Sequence, residues 1–323
     1  MRLPPFEYYQ PATLAEALAI LSEVPGARAV AGGTDLLVNM KHRVEQPPAL
    51  VSLSRVSGLA GVRTEDGATV IGGGTTLKQV QHDEGLRAKF PALTQAAAVV
   101  GSYRHQTMGT LAGNLCQNTR CRFFNQSVEW RSVRALCYKA GGDYCHVMNK
   151  ADVCFCTYHG DTAAALLVLE AEVRVEGPGG ARQIPFAALH SREGKTPLAL
   201  GAAELVTAVV IPDGSASNGA ATGGSTYLKH ALRGAIDFPI VGAAVWRGGD
   251  TMRVAFTGVD RSPIRAAILE EALAGRTPSA DLIAEVSPLA PKGATITRST
   301  LQPGSFKREL MSALFARAAG SLL

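Results

Sequence analysis

Apolar residues recur at Leu14, Ala17, Leu18 and Leu21, a spacing that predicts an amphipathic helix over 13–24. Thr13 and Glu16 form a capping box at its start. A short strand, ARAVA, follows and runs into the glycine turn GGTD. Residues 69–82 repeat this logic: a strand (TVIGG), a glycine turn, then a helix opening at TTLKQVQH. Another helix is predicted over 86–100, and small residues make TMGTLAGNL (107–115) a loop. Residues 162–169 read as a helix, and 171–176 as a strand alternating at Val173 and Val175. A GPGG turn and a short strand follow, and 204–211 form a strand ended by Pro212.

Residues 213–225 are Gly/Ser/Asn-rich and read as a mobile loop or linker near a domain boundary. Beyond it, YLKHALR, IVGAAVWR and TMRVAFTGV read as strands or strand–helix borders. IRAAILEEALAG, DLIAEV and the C-terminal segment read as helices. The last hundred or so residues therefore predict an antiparallel sheet covered by helices. Strands and helices do not alternate regularly enough for a doubly wound sheet, so the expected class is α+β.

Composition adds little to this picture. A chain of 323 residues with 46% hydrophobic and 18% charged residues supports two domains with real cores. The net charge of +5 is scattered, with no basic stripe interleaved with aromatics, which argues against nucleic-acid binding. No apolar run is long enough for a membrane span, and MRLPPFEYYQP lacks the apolar core of a secretory signal. The expectation is a cytoplasmic protein with reduced thiols.

Two glycine loops carry candidate chemistry. AVAGGTDL (29–36) places two glycines directly after a strand, where backbone N–H groups can converge on a phosphate. TLAGN (110–114) offers the Thr110 hydroxyl, the small Ala112 and Gly113, and the Asn114 amide as a second cradle. Together they would clamp a pyrophosphate. Neither matches GxGxxG, and each alone is equally an ordinary turn. IGGG (71–74) reads as a structural turn.

The other candidate is a cysteine-rich stretch. All six cysteines, Cys116, Cys121, Cys137, Cys145, Cys154 and Cys156, fall between 116 and 156. Cys121, Cys137, Cys145 and Cys154 are spaced C-x15-C-x7-C-x8-C, which is neither a paired zinc ribbon nor a ferredoxin run. The residues alone leave a metal or cluster, buried structural thiols and disulfides open. Four thiolates would suit Zn²⁺ or a [4Fe–4S] cube. The stretch carries Arg120, Arg122, Arg131, Arg134, Lys139 and Lys150 against Glu129, Asp143 and Asp152. Such cations would offset a negative cluster, attract an acidic partner, or simply be solvated. Phe123, Phe124, Trp130 and Tyr138 are expected to pack as a small core around the site.

The order of AVAGGTDL, VIGGGTTL, TMGTLAGN, Gly160–Asp161, YLKHALR and FPIVGAAV resembles the FAD-binding medium subunits of the xanthine dehydrogenase / carbon monoxide dehydrogenase family. The resemblance covers nearly the whole chain. It implies a two-part FAD domain over 1–215, divided near 56/57, and a C-terminal α+β domain over 216–323. It places flavin contacts on Ala29, Val30, Ala31, Gly32, Gly33, Thr34, Asp35 and Leu36. Further contacts fall on Val100, Thr110, Leu111, Ala112, Gly113, Asn114, Asp161, Val206 and Lys229. On the residues alone, Lys229 is equally a surface lysine and Asp161 equally the N-cap of the 162–169 helix.

In that family a short stretch separates the second loop from the Asp, whereas here Asn114 and Asp161 are 47 positions apart. A flavin subunit with a cysteine-bearing insertion here, at about 116–158, is similar to the beta subunits of 4-hydroxybenzoyl-CoA reductases. That similarity implies a [4Fe–4S] cluster on Cys121, Cys137, Cys145 and Cys154, leaving Cys116 and Cys156 as free thiols. It implies electrons from reduced ferredoxin through [4Fe–4S] and FAD toward a small [2Fe–2S] subunit and a large molybdenum-cofactor subunit. The reaction would be reductive dehydroxylation to benzoyl-CoA in anaerobic aromatic degradation, with no catalytic residue in this chain and a dimer of heterotrimers as the assembly. The alternatives are the FAD subunit of an oxidising xanthine- or CO-dehydrogenase type enzyme, and a zinc-stabilised binding module.

Overall fold

The computed structural model describes residues 2–215 and 223–323. The middle of the linker expected over 213–225 lies outside the described residues. The chain opens with β1 (Glu7–Tyr9), α1 (Leu14–Glu23), β2 (Arg28–Val30), α2 (Leu36–Lys41) and β3 (Ala49–Ser52). The three strands pair in parallel in the order β1-β3-β2. The capping box is formed: Glu16 N donates to Thr13 Oγ1 at 3.2 Å, and Thr13 N donates to Glu16 Oε2 at 3.2 Å. Ala17 and Leu21 then bury against Ala49 and Val51.

Next come β4 (Val62–Glu65), β5 (Ala68–Gly72), α3 (Leu77–His82), α4 (Glu84–Lys89), α5 (Pro91–Ala98), α6 (Tyr103–Met108) and α7 (Leu111–Leu115). The cysteine insertion contains a short α-helix, α8 (Val128–Ser132), and a 3-10 turn at Tyr138–Ala140. It is followed by α9 (Asp161–Val168), β6 (Glu172–Gly177), β7 (Gly180–Pro185) and β8 (Leu205–Pro212). Strands β4-β5-β8-β6-β7 form an antiparallel sheet in that order.

Two expectations fail here. The helix over 86–100 is two helices, because Pro91 pushes Phe90 out of the helical region to φ −133. Pro91 then starts α5, where its missing N–H costs nothing. TMGTLAGNL is not a loop: it holds the end of α6 and all of α7, with Thr110 Oγ1 accepting from Gly113 N at 3.1 Å as an N-cap.

The C-terminal part comprises β9 (Gly223–His230), β10 (Val241–Gly248), β11 (Thr251–Thr257), β12 (Ile264–Arg265), α10 (Ala267–Leu273), α11 (Ala280–Val286) and α12 (Gly304–Gly320). Its sheet is antiparallel, in the order β12-β11-β10-β9. The helix expected from Ile264 starts at Ala267, because Ile264 and Arg265 pair with β11 as an edge strand. Residues on β10 and β11 alternate between two cores. Ala243, Val245, Val254 and Phe256 face the core shared with Met311, Leu314 and Phe315 of α12. Ala244 and Ala255 face the core of α9. Burial on both faces explains the nearly unbroken apolar run in IVGAAVWR. Helix α9 is buried throughout, as its all-round apolar sequence requires. Its alanines against Ala244 and Ala255 allow the close approach that joins the two halves of the chain.

The class is α+β, with the small parallel N-terminal sheet as its one departure. Among the described residues, no helix is long and apolar enough to cross a membrane.

Candidate functional site

The first glycine loop joins β2 to α2. Among the described residues, the backbone N–H groups of Gly32, Gly33, Thr34 and Asp35 donate to no protein acceptor. Four consecutive free amides beside the half-buried Gly33 at φ 69 are what an anionic group needs. Gly32 is obligatory for proximity: a Cβ there would lie 1.8 Å from Met108 O and 2.9 Å from Gly109 N. The absent side chain thus lets the first loop touch the start of the second.

The second loop behaves differently from the cradle read in the sequence. Leu111 N donates to Thr75 O at 2.9 Å, Ala112 N to Gly73 O at 3.0 Å and Asn114 N to Thr110 O at 2.9 Å. With Gly113 N on Thr110 Oγ1, these amides are committed inside the protein. The segment contributes shape and the Asn114 side chain instead. Asn114 Oδ1 accepts from Thr162 Oγ1 at 2.6 Å, which ties α7 to the start of α9. Val206 lies beneath, since a Cβ on Gly73 would meet Val206 O at 2.6 Å and Ala112 Cβ at 3.0 Å.

Asp161 does not cap α9; Gly160 is the N-cap, and the Asp161 carboxylate turns toward the C-terminal sheet. It accepts from Tyr227 OH at 2.8 Å and pairs with Lys229 Nζ at 3.2 Å. Lys229 is no surface lysine: its side chain is 9% exposed, and Nζ also donates to Val99 O at 2.9 Å beside Val100. Burial pushes Asp161 up to about 6, against the pull of Lys229 and the hydrogen bond from Tyr227. Tyr227 is a site residue the sequence did not signal.

Five of the six cysteines meet in one pocket. Buried Cys121, Cys154 and Cys156 pack with Phe124, against partly buried Cys137, Phe123 and Tyr138. The Cys156 thiol faces both Cys121 and Cys154, and the Cys145 thiol faces Cys154. All six are free thiols. Cys121 Sγ accepts from Phe123 N at 3.4 Å. Cys156 is held well above the ordinary thiol range, first by burial and then by its thiol neighbours. Cys116 packs instead against the core of α9 and is pushed up to about 12 by burial.

Contacts from the Cys145 thiol, then from Cys156, draw Cys154 down to about 3, helped by Lys139. Among the described residues, no group of three or more His, Cys, Asp or Glu side chains is placed to hold a single metal ion. Trp130 does not join the aromatic shield: it stacks under Arg134, with the guanidinium 4.3 Å from the ring centre.

The pocket is closed by residues the sequence reading missed. Cys154 N donates to Glu193 Oε1 at 2.6 Å, and Gly194 N to Cys154 O at 3.0 Å. A Cβ on Gly194 would lie 2.9 Å from Cys154 Sγ. Lys139 Nζ donates to Gly194 O, Thr119 Oγ1 and Asn118 Oδ1, each at 2.7 Å. Asn118 N in turn donates to Asp35 Oδ2 at 3.1 Å, and Arg120 forms an ion pair with Asp35. Asp35 belongs to the first glycine loop, so a hydrogen-bonded chain runs from the thiol pocket to the free amides.

Residues 4–214 match the family model described as the FAD binding domain in molybdopterin dehydrogenase. Residues 226–322 match the one described as the CO dehydrogenase flavoprotein C-terminal domain. This chain belongs to the FAD-binding medium subunits of the molybdenum hydroxylase family. It is 32% identical to the aldehyde oxidoreductase FAD-binding subunit PaoB of Escherichia coli over 80% of this chain and 83% of that one. It is 26% identical to the putative xanthine dehydrogenase FAD-binding subunit XdhB of E. coli over 82% of this chain and 77% of that one. The fold is that of a carbon monoxide dehydrogenase chain from Hydrogenophaga pseudoflava, with TM-score 0.80 at 24% identity, covering 100% of this chain and 99% of that one. FAD is therefore the cofactor of this medium subunit, and large and small partner subunits complete the enzyme. The free amides of the first glycine loop suit its pyrophosphate.

Proposed function

We propose that this chain is the FAD- and [4Fe–4S]-bearing electron-transfer subunit of a molybdenum-containing 4-hydroxybenzoyl-CoA reductase. One observation carries the reading: Cys121, Cys137 and Cys154 gather in one cluster, with the Cys145 thiol facing Cys154, inside an insertion of a flavin domain. The N–H···S bond from Phe123 to Cys121 favours the thiolate form that ligates iron. In this proposal Cys156 and Cys116 stay outside the ligand set as free thiols. Lys139 beside the thiols would offset the cluster's negative charge.

The FAD contacts proposed are Ala29 to Leu36, Val100, Thr110 to Asn114, Asp161, Val206 and Lys229. The FAD domain is taken to run over 1–215 and the C-terminal domain over 216–323. When bound, the two groups supply electron carriers between reduced ferredoxin and the [2Fe–2S] and molybdenum centres of partner subunits. The residues of this chain bind and space those carriers and exclude water from the thiols. Its setting would be a cytoplasmic dimer of heterotrimers.

A second reading, the FAD subunit of an oxidising enzyme, is favoured by the names of the relatives, which include a nicotinate dehydrogenase FAD-subunit of Eubacterium barkeri, 28% identical over 79% of this chain and 71% of that one. The deciding experiment is anaerobic purification with partner subunits and measurement of iron, acid-labile sulfide, zinc and FAD, with and without Cys121→Ser. About four irons with sulfide, lost from this subunit in the variant while FAD stays, support the reductase. FAD with zinc, or with no metal in this subunit, overturns it.

A further inference from the structure

A cavity of about 620 Å³ lies between the cysteine insertion and the C-terminal domain, away from the flavin loops. One wall is the segment His146, Val147 and Met148; the other carries Arg298, Ser305 and Arg308. Arg298 and Arg308 are exposed, and among the described residues neither takes part in an ion pair. No acidic side chain lines the cavity. His146 Nε2 is buried without a hydrogen-bond partner. Met148, 43% exposed, adds an apolar surface beside the two guanidinium groups.

The wall has a second role. Val147 and Met148 lie in the turn closed on Cys145, where Cys145 N donates to Lys150 O and Asn149 N to Cys145 O, each at 2.7 Å. The same short segment therefore faces the cavity on one side and the thiol pocket on the other. Cys121, at the pocket's other side, follows Arg120, which pairs with Asp35 of the first glycine loop. The basic residues of the insertion are less available than the sequence suggested. Arg120 is tied to Asp35, Arg131 donates to His42 O and Arg43 O at 2.9 and 3.0 Å, and Lys139 is turned inward.

We infer that this cavity is the docking socket of the protein electron donor, a small acidic one-electron iron–sulfur protein whose surface carboxylates meet Arg298 and Arg308. The inference rests on the cluster reading above and adds the place where its donor binds. Two unpaired cations around an apolar floor match a carboxylate-rimmed partner, and complementary charge of this kind mainly speeds encounter and fixes register. With a cluster held by Cys121, Cys137, Cys145 and Cys154, the donor would give up one electron and the cluster would gain it, with no bond or proton exchanged. Docking at this wall leaves one loop between the donor and Cys145.

The test compares the assembled enzyme with its R298E/R308E variant, and with R298Q/R308Q as a milder control. The probe is a purified acidic [4Fe–4S] ferredoxin. Its binding is measured directly at low and moderate salt, and reduction of the enzyme by reduced ferredoxin is compared with reduction by dithionite. The expected result is ferredoxin binding weakened about tenfold or more by charge reversal and less by neutralisation, with a flattened salt dependence. Reduction by dithionite, iron and FAD contents stay unchanged. Ferredoxin binding equal to wild type in the folded, iron-replete variants overturns the socket, as does failure of ferredoxin to bind the iron-replete wild type. Absence of iron from the wild-type subunit instead overturns the cluster reading itself.

Discussion

Replacing Lys229 with methionine isolates the charge of the buried Asp161–Lys229 pair, because methionine keeps an apolar stem and removes the ammonium. Nζ lies 3.2 Å from Asp161 and 2.9 Å from Val99 O, and the two side chains are 9% and 3% exposed. Burial already raises Asp161 to about 6 with Lys229 in place. A folded pKa above the unfolded value means that this group's contribution to stability is full below about pH 4 and lost as pH rises through about 6. The shift of about two units corresponds to about 3 kcal/mol.

Without Lys229 the carboxyl titrates higher still, so the loss extends further toward alkaline pH. Removing one partner of a buried pair costs about 3–5 kcal/mol when the other stays charged. Where the carboxyl can take a proton, the cost falls to about 1 kcal/mol for the lost hydrogen bonds. The variant should therefore melt about 4–8 °C below wild type near pH 8, and only about 1–2 °C below it near pH 5.5. Differential scanning calorimetry at the two pH values checks this. An equal loss at both, or no loss at either, would refute the reasoning that Lys229 offsets the buried charge of Asp161.

Gly32→Ala should reduce the FAD content of the purified protein by more than about tenfold, because its Cβ would meet Met108 O at 1.8 Å and part the two loops; flavin absorbance per chain, with circular dichroism as the folding control, measures it. Cys154→Ser should abolish iron binding, while Cys156→Ser and Cys116→Ser retain it on the ligand set proposed above, Cys116 packing away from the thiol cluster; iron analysis of the three variants reads the difference. Lys139→Met leaves Gly194 O, Thr119 Oγ1 and Asn118 Oδ1 without their shared donor and should destabilise the insertion by about 2–3 kcal/mol. Limited proteolysis should then cut within the insertion before it cuts the rest of the chain, and cleavage at the wild-type rate and place would count against that role.

Local pattern alone determined much of this protein. The capping box of Thr13 and Glu16 and the apolar face behind it specify α1, because both lie within one turn or two of helix. Alternation at Val173 and Val175 located β6, the GPGG turn set off β7, and Pro212 marked the end of β8. The order of glycine loops pointed to the family, and the confinement of every cysteine to one stretch pointed to the thiol pocket. Where a short-range signal was overlooked, the reading erred: Pro91 splits a helix, and Thr110 caps one inside an expected loop.

Only the tertiary structure decided which groups meet. Gly32 against Met108, Gly194 against Cys154, Arg120 against Asp35 and Asp161 against Tyr227 and Lys229 join residues far apart in the chain. Periodicity carries no information about such pairs, since it records only which side of an element is apolar. Whether an amide is free, as at Gly33, or spent on a carbonyl, as at Ala112, depends on what packs against it. The separation of Cys116, packed on the core of α9, from the cysteines that cluster with Phe124 is likewise a property of the folded loop, because spacing does not encode where the chain turns back.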